Sequence, residues 1–203
     1  MRNEETTRVH QIDISQPITV ALQMALVDLL KSWVIQPTAV TSHLSGGIAA
    51  AYVVGTLKFE EAMGVVYFRG RLALKHQMIS PLSAGVLAAG IIFEKAADYI
   101  KDTTRGKFVV TCVNIPDGVT RSEDSAAIDE VASQLDKDGL FARRLKVPLA
   151  YYSHHMQNMA QDYTNILREI LHTPRSWTGA ILSSPVTGEI LTSIVYQSRM
   201  IIM

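Results

Sequence analysis

The chain has 203 residues, 48% of them hydrophobic and 19% charged, a globular balance that excludes intrinsic disorder as the main state. Its 19 basic and 19 acidic side chains cancel, and without a cationic surplus nucleic acid is excluded as the principal partner. The one cysteine, Cys112, cannot form an intramolecular bridge and fits a reducing compartment, so a soluble protein of the cytoplasm is expected.

The N-terminus, Met1 to Arg8, is too polar for a secretory signal. The first strong segment runs from about Pro17 to Val34. Proline suits a first helical turn, and Ser15 stands ready as a cap. Ile18, Ala21, Leu22, Ala25, Leu26, Leu29, Leu30 and Trp33 recur with helical periodicity. Pro37 closes the segment, and Thr38 to Ser42 reads as a short buried strand. His43-Leu44-Ser45-Gly46-Gly47 is a tight turn. A small-residue helix follows from Ile48 to Val54, stopped by Gly55, and a longer one from Phe59 to His76. Glu60 and Glu61 sit favourably near its positive end.

From Pro81 the rhythm changes. Pro81 to Phe93 is the longest apolar-looking stretch, but Ser83, Gly85 and Gly90 interrupt it and it is too short for a bilayer, so no membrane partner is expected. Leu82 to Ala89 reads as a strand, Phe93 to Lys101 as a helix, and Phe108 to Val113 and Val119 to Ser122 as strands. Ser125 to Lys137 is an amphipathic helix ended by Gly139, and Leu140 to Val147 is a last strand. That order, β-α-β-β-α-β, is the split pattern of a ferredoxin-like unit. A helix from about Met156 to His172 and strands near Ile181–Ser183 and Ile190–Val195 complete the chain.

The turn at Ser42 to Gly47 carries the chemistry. A strand entering a sharp turn before a helix is where hydrolases and acyltransferases mount a nucleophile. The turn lifts a hydroxyl out, and the backbone N–H that follows helps to hold an oxyanion. Two residues before Gly46, where the nucleophile belongs, stands Leu44. Leucine has neither a proton to give up nor a lone pair with which to attack.

Several separated motifs bear a family resemblance. Glu5-Thr6-Thr7-Arg8-Val9-His10, Ser15-Gln16-Pro17, Pro37-Thr38-Ala39-Val40, His43-x-Ser45-Gly46, Ile48-Ala49-Ala50-Ala51-Tyr52 and Tyr67-Phe68-Arg69-Gly70 are six of them. Val113-Asn114-x-Pro116-Asp117, Ser153-His154-His155-Met156 and Pro185-Val186-Thr187-Gly188-Glu189 are the others. Over roughly Arg2 to Ser193 the chain resembles the acyltransferase domain of fungal highly reducing polyketide synthases. The resemblance implies malonyl transfer from malonyl-CoA, or a related acyl-CoA, to the phosphopantetheine arm of an acyl carrier protein. A Ser–His dyad and a covalent acyl-serine would carry the reaction, with no cofactor and no metal.

Carried over residue by residue, Leu44 stands at the nucleophile and Gly47 at the family's usual glutamate. Ser45 supplies the N–H of the oxyanion position. His154 matches the general base, and Arg69 the arginine that pairs with the malonyl carboxylate. A guanidinium suits a planar carboxylate bidentately, as an ammonium does not. Asn114 matches a position near the active site, and His43 lines the acyl pocket or fills its wall. Tyr152 lies in the extender-unit motif, where fungal relatives commonly have histidine. Outside the family pattern each has a plainer reading. His154 is then a surface or capping histidine, Arg69 a solvated helix arginine beside Arg71, and Asn114-x-Pro116-Asp117 an ordinary turn.

The resemblance begins after the family's Gly-Gln-Gly strand, whose glutamine lies at the oxyanion hole, and fades after Ser193. A truncated gene fragment is the expectation. The expected fold is α/β, an incomplete α/β-hydrolase-like acyltransferase subdomain over residues 1–81 and 147–203 with a ferredoxin-like subdomain inserted over 82–146. Leu44, Gly47 and the absent glutamine together imply a degenerate member without turnover. Two alternatives stand beside it: an active enzyme using Ser45, and a noncatalytic module that docks acyl-CoA or the carrier protein.

Overall fold

In the computed structural model, which describes residues 6–79, 84–101, 108–115, 118–145, 157–171, 177–184 and 187–191, the first element is helix α1, Ile12–Ser32. It starts earlier than Pro17, and Gln11 takes the capping position in place of Ser15. The carbonyl of Gln11 accepts N–H groups from Ile14 at 3.0 Å and Ser15 at 2.7 Å, and Ile12 is buried, which anchors the extra turn. Pro17 therefore lies inside the helix. It cannot donate to the carbonyl of Asp13, so one rung of the ladder is missing there.

The other end of α1 closes in a Schellman arrangement. Ile35 N–H donates to the carbonyl of Leu30 at 3.0 Å, and Val34 N–H to that of Lys31 at 2.9 Å. The residue between, Val34, has φ +63° and is 86% exposed. A β-branched side chain is a poor occupant of left-handed backbone, and here it buries almost nothing in return. Val34→Gly is expected to stabilise the protein by about 1 kcal/mol. A urea melt checks it: the midpoint should rise with the slope unchanged.

The chain divides into two units, residues 1–74 with 160–203, and residues 75–159. The domain limits expected at 81–82 and 146–147 fall outside the described residues. In the first unit, strand β1 (Ala39–Val40) leads to α2 (Gly46–Val53) and α3 (Phe59–Ile79). After the second unit's elements the chain returns with α6 (Gln157–Ile170), β6 (Ile181–Ser183) and β7 (Ile190–Leu191). The strand order is β1-β6-β7, with β1 parallel to β6 and β7 antiparallel to it. Val20 and Met24 of α1 share one core with Ala50, Val65, Val66, Tyr163, Leu167 and Leu182. The strand expected to be buried over Thr38–Ser42 is only two residues long, with Ala39 exposed and Val40 half-buried. Among the described residues β1 pairs on one side only, which is why burial did not follow from its composition.

The second unit holds β2 (Ala84–Ala89), α4 (Phe93–Lys101), β3 (Phe108–Ile115), β4 (Gly118–Asp124), α5 (Ser125–Lys137) and β5 (Ala142–Leu145). Its four strands are antiparallel in the order β3-β4-β2-β5, so the unit is ferredoxin-like. Leu87, Val119, Ala127, Ile128, Val131 and Leu135 fill its core. Asn114 is part of β3 and not of a turn. The pairing steps from Val113↔Val119 to Ile115↔Gly118, so Asn114 is the extra residue of a β-bulge. A Cβ on Gly118 would lie 2.6 Å from Ile115 Cγ1, so a larger residue where β4 begins would require the exposed Ile115 side chain to move.

Candidate active site

The turn between β1 and α2 has the geometry of an elbow centred on Leu44. Leu44 has φ +51°, the left-handed conformation that costs an L-residue roughly 1–2 kcal/mol. It is 46% exposed at the tip of the turn. Ser42 and Gly46, two residues to either side, close on each other. A Cβ on Gly46 would lie 3.7 Å from Ser42 Cβ, an ordinary van der Waals contact. Ser42 Oγ is buried with no hydrogen-bond partner among the described residues. The register is thus centred on position 44.

Ser45 sits one step further, in right-handed backbone at φ −62° and ψ −15°, as the residue that caps α2. It is half-buried, and its side chain makes no capping hydrogen bond. Successive bonds from Gly46 N–H to the His43 carbonyl, Gly47 N–H to Leu44 and Ile48 N–H to Ser45, at 3.0, 3.2 and 3.1 Å, wind the turn into the helix. The Ser45 N–H finds no backbone acceptor among the described residues, as expected of a donor at a helix start. His43 is exposed beside the tip. Ala49, Ala50 and Ala51 bury the inner face of α2, and their small size lets the helix seat close to the core.

Arg69 is half-buried on α3, in the same unit as Leu44. It has a partner of its own, and its charge also reaches Tyr163 on α6. Tyr163 is buried, and its hydroxyl donates to the carbonyl of Val65 at 3.0 Å. Burial pushes this phenol up to about 12, with the Arg69 guanidinium pulling the other way. Sequence reading missed Tyr163, although the i, i+4 spacing of Met159, Tyr163 and Leu167 marks the buried face of α6. His154 and Tyr152 lie outside the described residues, and of Asn114 only the backbone, in the second unit, is described. Among the described residues no three His, Cys, Asp or Glu side chains converge as a metal site would require.

The Tyr163 geometry fixes the sign of an alkaline effect. The folded phenol holds its proton to about pH 12, while an unfolded tyrosine loses it near the ordinary value of 10. The stabilisation is complete below pH 10 and disappears as the pH rises through 12. Tyr52 behaves alike, raised to about 12 by burial and then by its hydrogen bonds to Asp28 at 2.8 Å. Stability should fall steadily from pH 10 to 12. Tyr163→Phe should lower stability at neutral pH by about 1 kcal/mol, for the lost hydrogen bond, and make the alkaline decline shallower. Denaturant melts at a series of pH values check both halves.

Comparison with known proteins places this geometry. Residues 1–196 match the family described as the acyl transferase domain. The highly reducing polyketide synthase pks5 of Leptosphaeria maculans is 48% identical over 191 residues, which is 94% of this chain and 7% of the relative. The squalestatin tetraketide synthase of a Phoma species is 44% identical over 187 residues, 92% of this chain and again 7% of the relative. Among solved structures, the acyltransferase domain from the second module of the salinomycin polyketide synthase superposes with a TM-score of 0.80 at 26% identity. That match covers 97% of this chain and 45% of the other. A malonyl CoA-acyl carrier protein transacylase from Clostridium perfringens gives the same TM-score at 19% identity, a likeness of fold, over 94% of this chain and 61% of that one. The chain spans 7% of the length of the two synthases. With a strand–turn–helix elbow at Leu44, one α/β unit and one ferredoxin-like unit, it belongs to the acyl transferase domain family, in the form carried by polyketide synthases.

Proposed function

We propose that this chain is a degenerate malonyl-transferring domain of cytoplasmic polyketide assembly that carries out no transacylase turnover. The observation that supports this reading is the side chain at the tip of the elbow. Left-handed backbone at position 44, with Ser42 and Gly46 closing beneath it, is the arrangement that aims a nucleophile outward, and the side chain so aimed is leucine. In a working dyad the serine oxygen attacks the malonyl thioester carbonyl while His154 takes its proton, and the coenzyme A thiol leaves. The pantetheine thiol of the carrier then attacks the acyl-serine and releases the oxygen. Both halves need an oxygen at position 44, because the acyl group must be stored between two thiol substrates.

Ser45 is not a substitute on this reading. It is right-handed, half-buried and committed to opening α2, whereas catalytic placement tolerates about half an ångström and 10–20°. Arg69 is retained where it would pair with a malonyl carboxylate, which supports residual docking of acyl-CoA without transfer. The test is intact-protein mass spectrometry after incubation with malonyl-CoA. The expected mass is unchanged. A malonyl adduct on Ser45 would overturn both the register of the elbow and the loss of activity.

A further inference from the structure

Three helices meet at Tyr52, the residue before the last in α2. Its hydroxyl donates to both carboxylate oxygens of Asp28 on α1, each at 2.8 Å. Lys31, one turn further along α1, holds its ammonium 4.7 Å from the centre of the Tyr52 ring and 3.7 Å from Asp28 Oδ1. Phe59, the first residue of α3, meets the same ring edge-on, with centroids 6.4 Å apart and planes at 78°. Burial, and then the bond to Asp28, push the phenol up to about 12, so the donor keeps its proton at neutral pH.

The elbow is mounted on the other end of α2. Three of the four fully buried side chains of this helix are Ala49, Ala50 and Ala51. Their methyl groups let α2 lie close to the core, but they raise no ridge to lock into a neighbour's groove, so they fix its distance better than its roll. Thr178 N–H donates to the Val54 carbonyl at 3.0 Å, a bond close to the helix axis that resists sliding more than turning. Tyr52 reaches sideways by the length of a side chain, and a tether held off the axis resists turning. Position 44 is eight residues away, about 12 Å along the helix, so any roll left free at Tyr52 is carried to the tip. We propose that the Asp28–Tyr52 pair is the positioning device of the elbow, fixing the roll of α2 and with it the direction in which side chain 44 points. Tyr52 and Asp28 are positioning residues, and their role is the same whether leucine or serine stands at 44.

The test reads the elbow directly, by electron paramagnetic resonance of a nitroxide on the full chain. The label is attached through Leu44→Cys in a Cys112→Ser background, and as a control through Arg168→Cys, an exposed position on α6. Tyr52→Phe keeps the ring that meets Phe59, and Asp28 is exposed, so neither Tyr52→Phe nor Asp28→Ala disturbs the core. Each should raise the mobile fraction of the label at 44 by roughly fivefold, the change in equilibrium set by one hydrogen bond of ordinary strength. Combined, they should do no more than either alone. Asp28→Asn, whose amide oxygen still accepts from the phenol, should keep most of the order, and the label at 168 should not respond to any of the three. An unchanged spectrum at 44 overturns the proposal, and so does equal loosening at 44 and 168, which would make the pair a general support of the fold. In a Leu44→Ser background, Tyr52→Phe should also lower the maximal rate of malonyl uptake by a similar factor, with the half-saturating malonyl-CoA concentration unchanged, because Arg69 stands on α3 and not on α2. An undiminished rate overturns the proposal as well. This arm rests on position 44 being the nucleophile's place: if Leu44→Ser takes up nothing, that assignment fails, and the nitroxide spectra alone decide the role of Tyr52.

Discussion

Leu44→Ser is expected to take up a malonyl group from malonyl-CoA under conditions in which the native chain takes up none. The backbone at position 44 is already left-handed and the side chain 46% exposed, so the substitution delivers a hydroxyl to the elbow tip without remodelling the turn. The proton must go somewhere. With His154 as general base, the acquired acylation should fall by about 10²–10⁴ in a Leu44→Ser/His154→Ala double variant. Gly47→Glu on its own should gain nothing, because it brings no nucleophile. Intact-mass kinetics with the three variants separates the roles. An adduct that forms equally fast with and without His154 would remove the histidine from the mechanism.

Gly70→Ile should destabilise the protein by about 3 kcal/mol. A Cβ at this position would lie 3.0 Å from Asp13 Cα and 3.1 Å from the Ile12 carbonyl oxygen. Both are backbone atoms in the first turn of α1 and cannot step aside as a side chain can. The comparison is Gly64→Ala, whose Cβ would meet only the Cδ1 tip of Ile170, also at 3.1 Å. There the neighbour can rotate away, and the gain in helix propensity of about 1 kcal/mol offsets the squeeze. Chemical denaturation should therefore show a large loss at 70 and almost none at 64. Equal losses would mean that α1 yields as readily as a side chain.

Much of the architecture was legible because it is written in local signals. Phe93–Lys101 and Ser125–Lys137 appear with the bounds that their periodicity gives, and Gly55 and Gly139 end their segments at φ +82° and +69°. The β-α-β-β-α-β order followed from the alternation of such segments. What failed has a common cause. Burial of β1 depends on how many neighbours a strand acquires, which no residue in Thr38–Ser42 records. The start of α1 lay ahead of Pro17 because burial of Ile12 and the two N–H groups on the Gln11 carbonyl hold an extra turn despite the rung that Pro17 removes. Asn114 looked like a turn residue because Pro116 and Asp117 follow it, yet pairing with β4 draws it into the strand as a bulge. At the site, Leu44 was found by its place in a motif. The left-handed backbone that gives that place its meaning is a three-dimensional property, carried in leucine against its own preference.

The brevity of β1 bears on any site built at Leu44. Among the described residues two ladder pairs, Ala39↔Ile181 and Val40↔Leu182, join this strand to its neighbour, whereas β2 is paired with β4 over six positions. Local opening of such a short rung requires far less free energy than global unfolding. The elbow begins only a few residues beyond it. What steadies the tip is therefore the other side of the turn, where Ala49, Ala50 and Ala51 of α2 are buried in the core. The aim of any side chain at position 44 is thus set by helix packing more than by the sheet that leads into it.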